Sequence, residues 1–124
     1  MESSAAIVRL KEFQIEGHRR KAAQIRTMIA EFDRLVAELD REIHAEELRS
    51  GLRDPTYFAY PTYAKAARQR RDNLKRSTAD LALHFEAAQK GFADASAELE
   101  AMAPSAPLAA MPAPPDRHDL NRAS

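Results

Sequence analysis

Apolar residues recur at alternating steps of three and four along two long stretches of this chain. That spacing constrains the fold more than any other feature. In the first stretch Ile15, Ala22, Ile25, Ile29, Phe32, Val36, Leu39 and Ile43 share the pattern, strictly so from Ala22 onward. In the second, Leu74, Thr78, Leu81, Phe85, Ala88, Phe92, Ala95, Leu99 and Met102 repeat it, and Arg71, Ala67 and Ala64 extend it backwards. Such a repeat is the seam of a coiled coil, because 3.5-residue spacing keeps one helix stripe facing a partner. From Ala5 to Arg49 there is no proline and one glycine, Gly17; from Thr62 to Met102 there is again no proline and one glycine, Gly91. No stretch alternates with period two, so no strand is expected. Before Ile15 the residues Ile7, Leu10 and Phe13 follow a three-residue spacing of their own.

The interval between the stretches carries stop and start signals. Ser50-Gly51 ends the first helix, since glycine adopts the left-handed conformation at little cost. Asp54-Pro55 has the form of an N-cap followed by proline at a first helical position, and Pro61 marks the start of the second long helix. The predicted layout is a helix over about 5–49, a turn over 50–61, and a helix over about 62–102. The remaining 103–124 holds five of the seven prolines among alanines and serines, and is expected to be a disordered tail. At ~1.5 Å per residue each helix would reach on the order of 60 Å.

One register satisfies both seams. With Ala67 facing Ile43, Leu39 meets Arg71, Val36 meets Leu74 and Phe32 meets Thr78. Continuing, Ile29 meets Leu81, Ile25 meets Phe85, Ala22 meets Ala88, His18 meets Phe92 and Ile15 meets Ala95. Charge selects the same direction. The first helix is basic around Arg9–Arg26 and acidic at Glu38, Asp40, Glu42, Glu46 and Glu47. The second is basic over Lys65–Arg76 and acidic at Glu86, Asp94, Glu98 and Glu100. Antiparallel pairing sets opposite signs side by side, whereas parallel pairing would set like on like. The expected fold is therefore all-α: a long antiparallel two-helix coiled-coil hairpin with a disordered C-terminal tail.

Composition narrows the function. Charged residues make up 31% of the 124 and aromatics 6%, which suits long amphipathic helices better than a globular core. The formal net charge of zero argues against whole-chain attraction to nucleic acid or anionic lipid. Without cysteine there is no disulfide, thiolate catalysis or Cys-based zinc site. No run approaches the length of a membrane span and the opening residues lack a signal-peptide core, so a soluble, unexported, cytoplasmic protein is expected. His44 and Glu47 have helical spacing, but no further ligands stand at matching heights for a metal site. Neither a nucleophile with its base nor a phosphate-binding glycine loop is present. A two-helix structure lacks the concavity of an enzyme site. No catalysis, cofactor or small-molecule substrate is expected.

Three features stand out as candidate sites. The turn is aromatic: Tyr57, Phe58, Tyr60 and Tyr63 include all three tyrosines. These residues either anchor a protein partner or fold back to close the seam over Ile43 and Ala67, and the two roles are compatible. Beside them lie Arg68, Arg70 and Arg71, the last at a seam position where an apolar residue belongs. Arg71 either snorkels outward or marks a polar layer that fixes register. The basic run around them would suit nucleic acid, yet pairing with the facing acidic run neutralises it. Finally, Gly17 and Gly91 fall at nearly the same height. Each weakens a helix by ~1 kcal/mol relative to alanine. They read either as a hinge or as close helix packing around His18 and Phe92.

The stretch DPTYFAYPTYAKAARQRRDNLKRS, Asp54–Ser77, resembles the central segment of short alphaproteobacterial proteins of the FliJ family, the stalk-like component of the flagellar type III export apparatus. The RLKEFQIE and AQIRTMIAEFDRLVAELDREI segments, Arg9–Glu16 and Ala23–Ile43, are also similar, and the likeness runs over about Ile7–Leu99. It implies an antiparallel coiled coil that sits in the hexameric export ATPase and contacts the cytoplasmic domain of the export gate. It further implies coupling of ATP hydrolysis to flagellar export, a chaperone role toward export substrates or their chaperones, and a place in the cytoplasm at the base of the flagellum, reaching the membrane through partners only. Gly17-His18 and the Ala/Pro tail depart from the family pattern. A coiled-coil adaptor or chaperone of another secretion system is the alternative, and a nucleic-acid-binding hairpin using Lys65–Arg76 is a third.

Overall fold

A computed structural model describes residues 2–102, and the disorder expected for 103–124 lies outside the described residues. Among the described residues there are two helices and no strand: α1, Glu2–Ser50, and α2, Thr62–Met102. No helix among them is long and apolar enough to cross a membrane.

The helix ends follow from the punctuation in the sequence. Gly51 takes φ 75° and donates its amide to the Glu47 carbonyl at 2.8 Å, which closes the last turn of α1. The Ser50 hydroxyl then accepts the Leu52 amide at 3.1 Å. At the other end the Pro61 carbonyl accepts the Lys65 amide at 3.0 Å, so Pro61 caps α2 and needs no amide hydrogen of its own. Between them Asp54-Pro55 opens no helix, contrary to the cap-and-proline pattern. Pro61 explains why: its ring excludes helical backbone at Tyr60 and clashes with a carbonyl four residues back. The segment forms two successive turns instead, with Tyr57 donating to the Asp54 carbonyl and Tyr60 to the Tyr57 carbonyl, each at 3.0 Å.

The chain divides into two compact units, one holding residues up to His18 and from Lys90 onward, the other Arg19–Gln89. Both divisions fall beside the internal glycines, Gly17 and Gly91.

In the Arg19–Gln89 unit the predicted seam is the buried face. Ile25, Ile43, Tyr60, Ala64, Ala67 and Ala88 are buried. Ile29, Phe32, Val36, Leu39, Leu74, Leu81 and Phe85 are half-buried. Thr78 keeps its place in the seam because its hydroxyl donates to the Leu74 carbonyl at 3.0 Å. Three contacts between the helices descend on α2 as they ascend on α1: Arg26 stacks over Phe85 at 5.4 Å from the ring centroid, Asp40 accepts from Arg71 and Glu47 from Arg68. Glu42 also accepts from Tyr63, reaching along α2 to its first turn. Ala64 is fully inaccessible to solvent.

In the other unit Ala95 is buried, and Ile15, His18, Gly91 and Leu99 are half-buried. Lys11 pairs with Glu98. The expected layer sets His18 level with Phe92. Phe92 is 36% exposed, and the His18 imidazole lies against Gly91. Glycine has no side chain, so its backbone offers a notch that a flat ring fills. Gly91 thus has a packing reason, whereas a Cβ on Gly17 would meet nothing within 4 Å.

The two glycines should respond differently to alanine. Gly17→Ala is expected to gain ~1 kcal/mol from helix propensity. In Gly91→Ala the new Cβ would stand 2.7 Å from His18 Cε1 and Nδ1, so the ring must leave its place and the gain is cancelled or reversed. His18→Ala should restore it. A double-mutant cycle by urea unfolding measures this, and additivity of Gly91→Ala with His18→Ala within ~0.3 kcal/mol would disprove the notch.

Candidate protein-binding site at the helix connection

The connection is held from inside by one tyrosine. Tyr60 is 6% exposed, the one aromatic of the turn that folds inward. Its hydroxyl donates to Glu47 Oε2 at 2.7 Å and accepts from Arg68 Nε at 2.9 Å. Arg68 Nη2 closes the triangle on Glu47 Oε2 at 2.8 Å, and the guanidinium lies 5.8 Å from the Tyr60 ring centroid. The ion pair is largely shielded, with side-chain exposures of 30% for Arg68 and 12% for Glu47. Among the described residues no buried side-chain nitrogen or oxygen is left without a partner. The three residues come from the end of α1, the connection and the first turns of α2, so the triangle fixes where the connection sits.

The ionisations reflect this arrangement. Hydrogen bonds from Arg68 and then Tyr60 hold the Glu47 carboxyl below its ordinary value, against an opposing effect of burial. Burial raises the Tyr60 phenol, and the bond to Glu47 raises the Arg68 guanidinium further. A depressed carboxylate stabilises the fold above its unfolded value, near 4.5, and that contribution is lost as pH falls through the lower folded value. Glu47→Gln should therefore be less stable than wild type near neutrality and lose stability less steeply below pH about 4.5, so that the two proteins converge in acid. Chemical denaturation across acid pH checks this; parallel curves for the two proteins would exclude Glu47 as the coupled group.

Outward, the same loop presents aromatic surface. Phe58 is 89% exposed and Tyr57 48%, with ring centroids 4.9 Å apart at an angle of 46°. Their backbone is pinned. Asp54 Oδ1 accepts the Thr56 amide at 3.0 Å and the Thr56 hydroxyl at 2.7 Å, and these bonds hold the Asp54 carboxyl below its usual range. With Tyr60 clamped two residues later, Phe58 stands on a loop tied at both ends.

The residues singled out in sequence thus separate by role. Tyr57 and Phe58 come together and face solvent, while Tyr60 and Arg68 come together and face inward. Tyr63 is exposed, with its hydroxyl bonded to Glu42 at 2.5 Å, which raises the phenol. Arg71 snorkels from its seam position to Asp40 at 3.0 Å and Asp72 at 3.1 Å; the Asp40 bond is the larger cause of its raised value. Arg70 is exposed and forms no ion pair among the described residues. Gly17 and Gly91 belong to the other unit. Sequence reasoning placed Glu42 in an acidic run, placed Glu47 in that run and beside His44, and read Asp54 as a helix cap, missing Asp54 with Thr56 as the loop's clasp. An Asp two residues before a Thr, around a proline, is the local signal for such a turn.

Among the described residues no group of three His, Cys, Asp or Glu side chains is placed to hold a metal ion. The arrangement offers an aromatic contact surface on a pinned loop. No protein-family model matches the chain, and neither does any curated protein or solved structure.

Proposed function

We propose that this chain is a non-enzymatic stalk and chaperone of the flagellar type III export apparatus, an antiparallel coiled-coil hairpin that binds the hexameric export ATPase and the cytoplasmic domain of the export gate. The observation that carries the binding role is Phe58, held almost wholly in solvent by a loop whose backbone and neighbours are hydrogen-bonded. The exposed Tyr57–Phe58 pair offers a partner contiguous aromatic area, and a pinned aromatic loses little entropy on binding. The coiled-coil description is supported by the heptad seam and by the descending contacts within Arg19–Gln89. The export role is supported by the resemblance of Asp54–Ser77, the segment that contains this loop. Its place is then the cytoplasm at the flagellar base.

A photocrosslinking residue at Phe58, introduced into the chain in a flagellated host, is expected to capture the export gate domain or the export ATPase. Capture of neither, with the protein expressed and folded, would overturn the export assignment.

A further inference from the structure

Beside the aromatic loop lies a groove of about 350 Å³ lined by Pro55, Lys65, Arg68, Gln69, Asp72 and Arg76. Three of the six are cations and one is an anion, and the existing contacts sharpen that balance. Asp72 already accepts from Arg71 at 3.1 Å, and Arg68 is spent on Glu47 and Tyr60. Lys65 and Arg76 remain, both exposed and neither in an ion pair among the described residues; Arg76 bonds only the neutral amide of Asn73. The groove's own acid shares Arg71 with Asp40, whereas its two outer cations have no carboxylate partner among the described residues. We propose that this groove binds an acidic segment of a protein partner, with carboxylates seated on Lys65 and Arg76.

The spacing defines the segment. Lys65 and Arg76 lie three helical turns apart on α2, on the order of 16 Å at 1.5 Å per residue. An extended strand covers that distance in about five residue steps, at ~3.3 Å per residue. Between the two cations, Gln69 offers a donor and an acceptor to the partner's backbone, and Pro55 supplies an apolar wall. Discrete carboxylates at the two ends clear Asp72, which lies between them. A continuous phosphate backbone would have to run across it, so a protein fits better than a nucleic acid. The adjacent Phe58 would take an apolar side chain of the same partner. The inference rests on reading this end of the chain as a protein-docking surface.

The test uses the full chain and three labelled probes, followed by fluorescence anisotropy at low salt. These are a twelve-residue peptide of aspartate and glutamate with two leucines, its lysine counterpart, and a twelve-nucleotide thymidine oligomer. The acidic peptide is expected to bind, to weaken as salt rises, and to bind at least tenfold more weakly to the Lys65→Glu/Arg76→Glu protein. Both substitutions are on exposed positions, and helix content by circular dichroism confirms that the fold is kept. Failure of the acidic peptide to bind, or equal binding to the charge-reversed protein, would overturn the proposal. Tighter binding of the oligonucleotide would replace it with a nucleic-acid site. The docking reading fails separately: it falls if crosslinking from Phe58 captures no partner, whatever the peptide does.

Discussion

Ile43→Ala is expected to remove about 2–5 kcal/mol of unfolding free energy, the largest stability loss available from a single side-chain truncation in the Arg19–Gln89 unit. Ile43 is 4% exposed. It lies on α1 between Glu42 and Glu47, the two carboxylates that accept from Tyr63 and from the Tyr60–Arg68 pair. Its buried neighbours in that end of the unit are mostly alanines, Ala64 and Ala67, which have no side-chain length with which to close a cavity. Collapse of the helices into the space would break the flanking hydrogen bonds. The full transfer and cavity terms should therefore appear. Met28→Ala, on an exposed position of the same helix, should cost under ~0.5 kcal/mol and serves as the comparison. Urea unfolding followed by circular dichroism decides the matter. A loss below ~1 kcal/mol for Ile43→Ala would mean that this end of the unit has no consolidated interior.

Phe58→Ala should do the reverse: leave stability within ~0.5 kcal/mol and weaken partner binding by roughly 30-fold or more. The first expectation follows from exposure, since a side chain in solvent surrenders little buried area when truncated. The second follows from the loop. Hot-spot aromatics lose about 2 kcal/mol or more when truncated, and each 1.4 kcal/mol is a tenfold change in Kd. Phe58 is presented without an ordering cost because Asp54, Thr56 and Tyr60 already fix the backbone on either side. Tyr57→Ala should show a smaller loss, as its ring is half exposed and leans on Phe58. Titration calorimetry against the purified export gate domain and export ATPase measures both. Unchanged affinity of Phe58→Ala for a partner that the wild-type chain binds would place the contact elsewhere.

Much of this was legible because heptad spacing reports burial directly. The helix bounds differ from expectation by a few residues at the start of α1 and by one at its end. Ile25, Ile43, Ala67, Ala88 and Ala95 were each assigned to the seam and each is buried. Swapped charge runs pointed to the right neighbours in aggregate, and Arg68 with Glu47 and Arg71 with Asp40 are instances. Periodicity sets His18 level with Phe92 but cannot show that the imidazole fills the space beside Gly91. That fit depends on atomic shape, which no residue class encodes. The turn was similarly divided. Composition marked four aromatics, but only the hydrogen-bonding geometry around Pro61 decides that Tyr60 points inward and Phe58 outward.

The Tyr60–Glu47 bond also bears on the order of events during folding. It joins residues 13 apart in sequence, whereas Lys11 and Glu98 are separated by 87. Closing the shorter loop is cheaper by roughly 1.7 kcal/mol in chain entropy, from the logarithmic dependence on loop length. The segment around Pro55 and Pro61 is also stiff, which narrows the conformations that must be searched. Contacts at the connection therefore form early and shorten the effective loop for those that follow. Substitutions at Tyr60 will slow refolding, whereas those at Lys11 or Glu98 will mainly hasten unfolding.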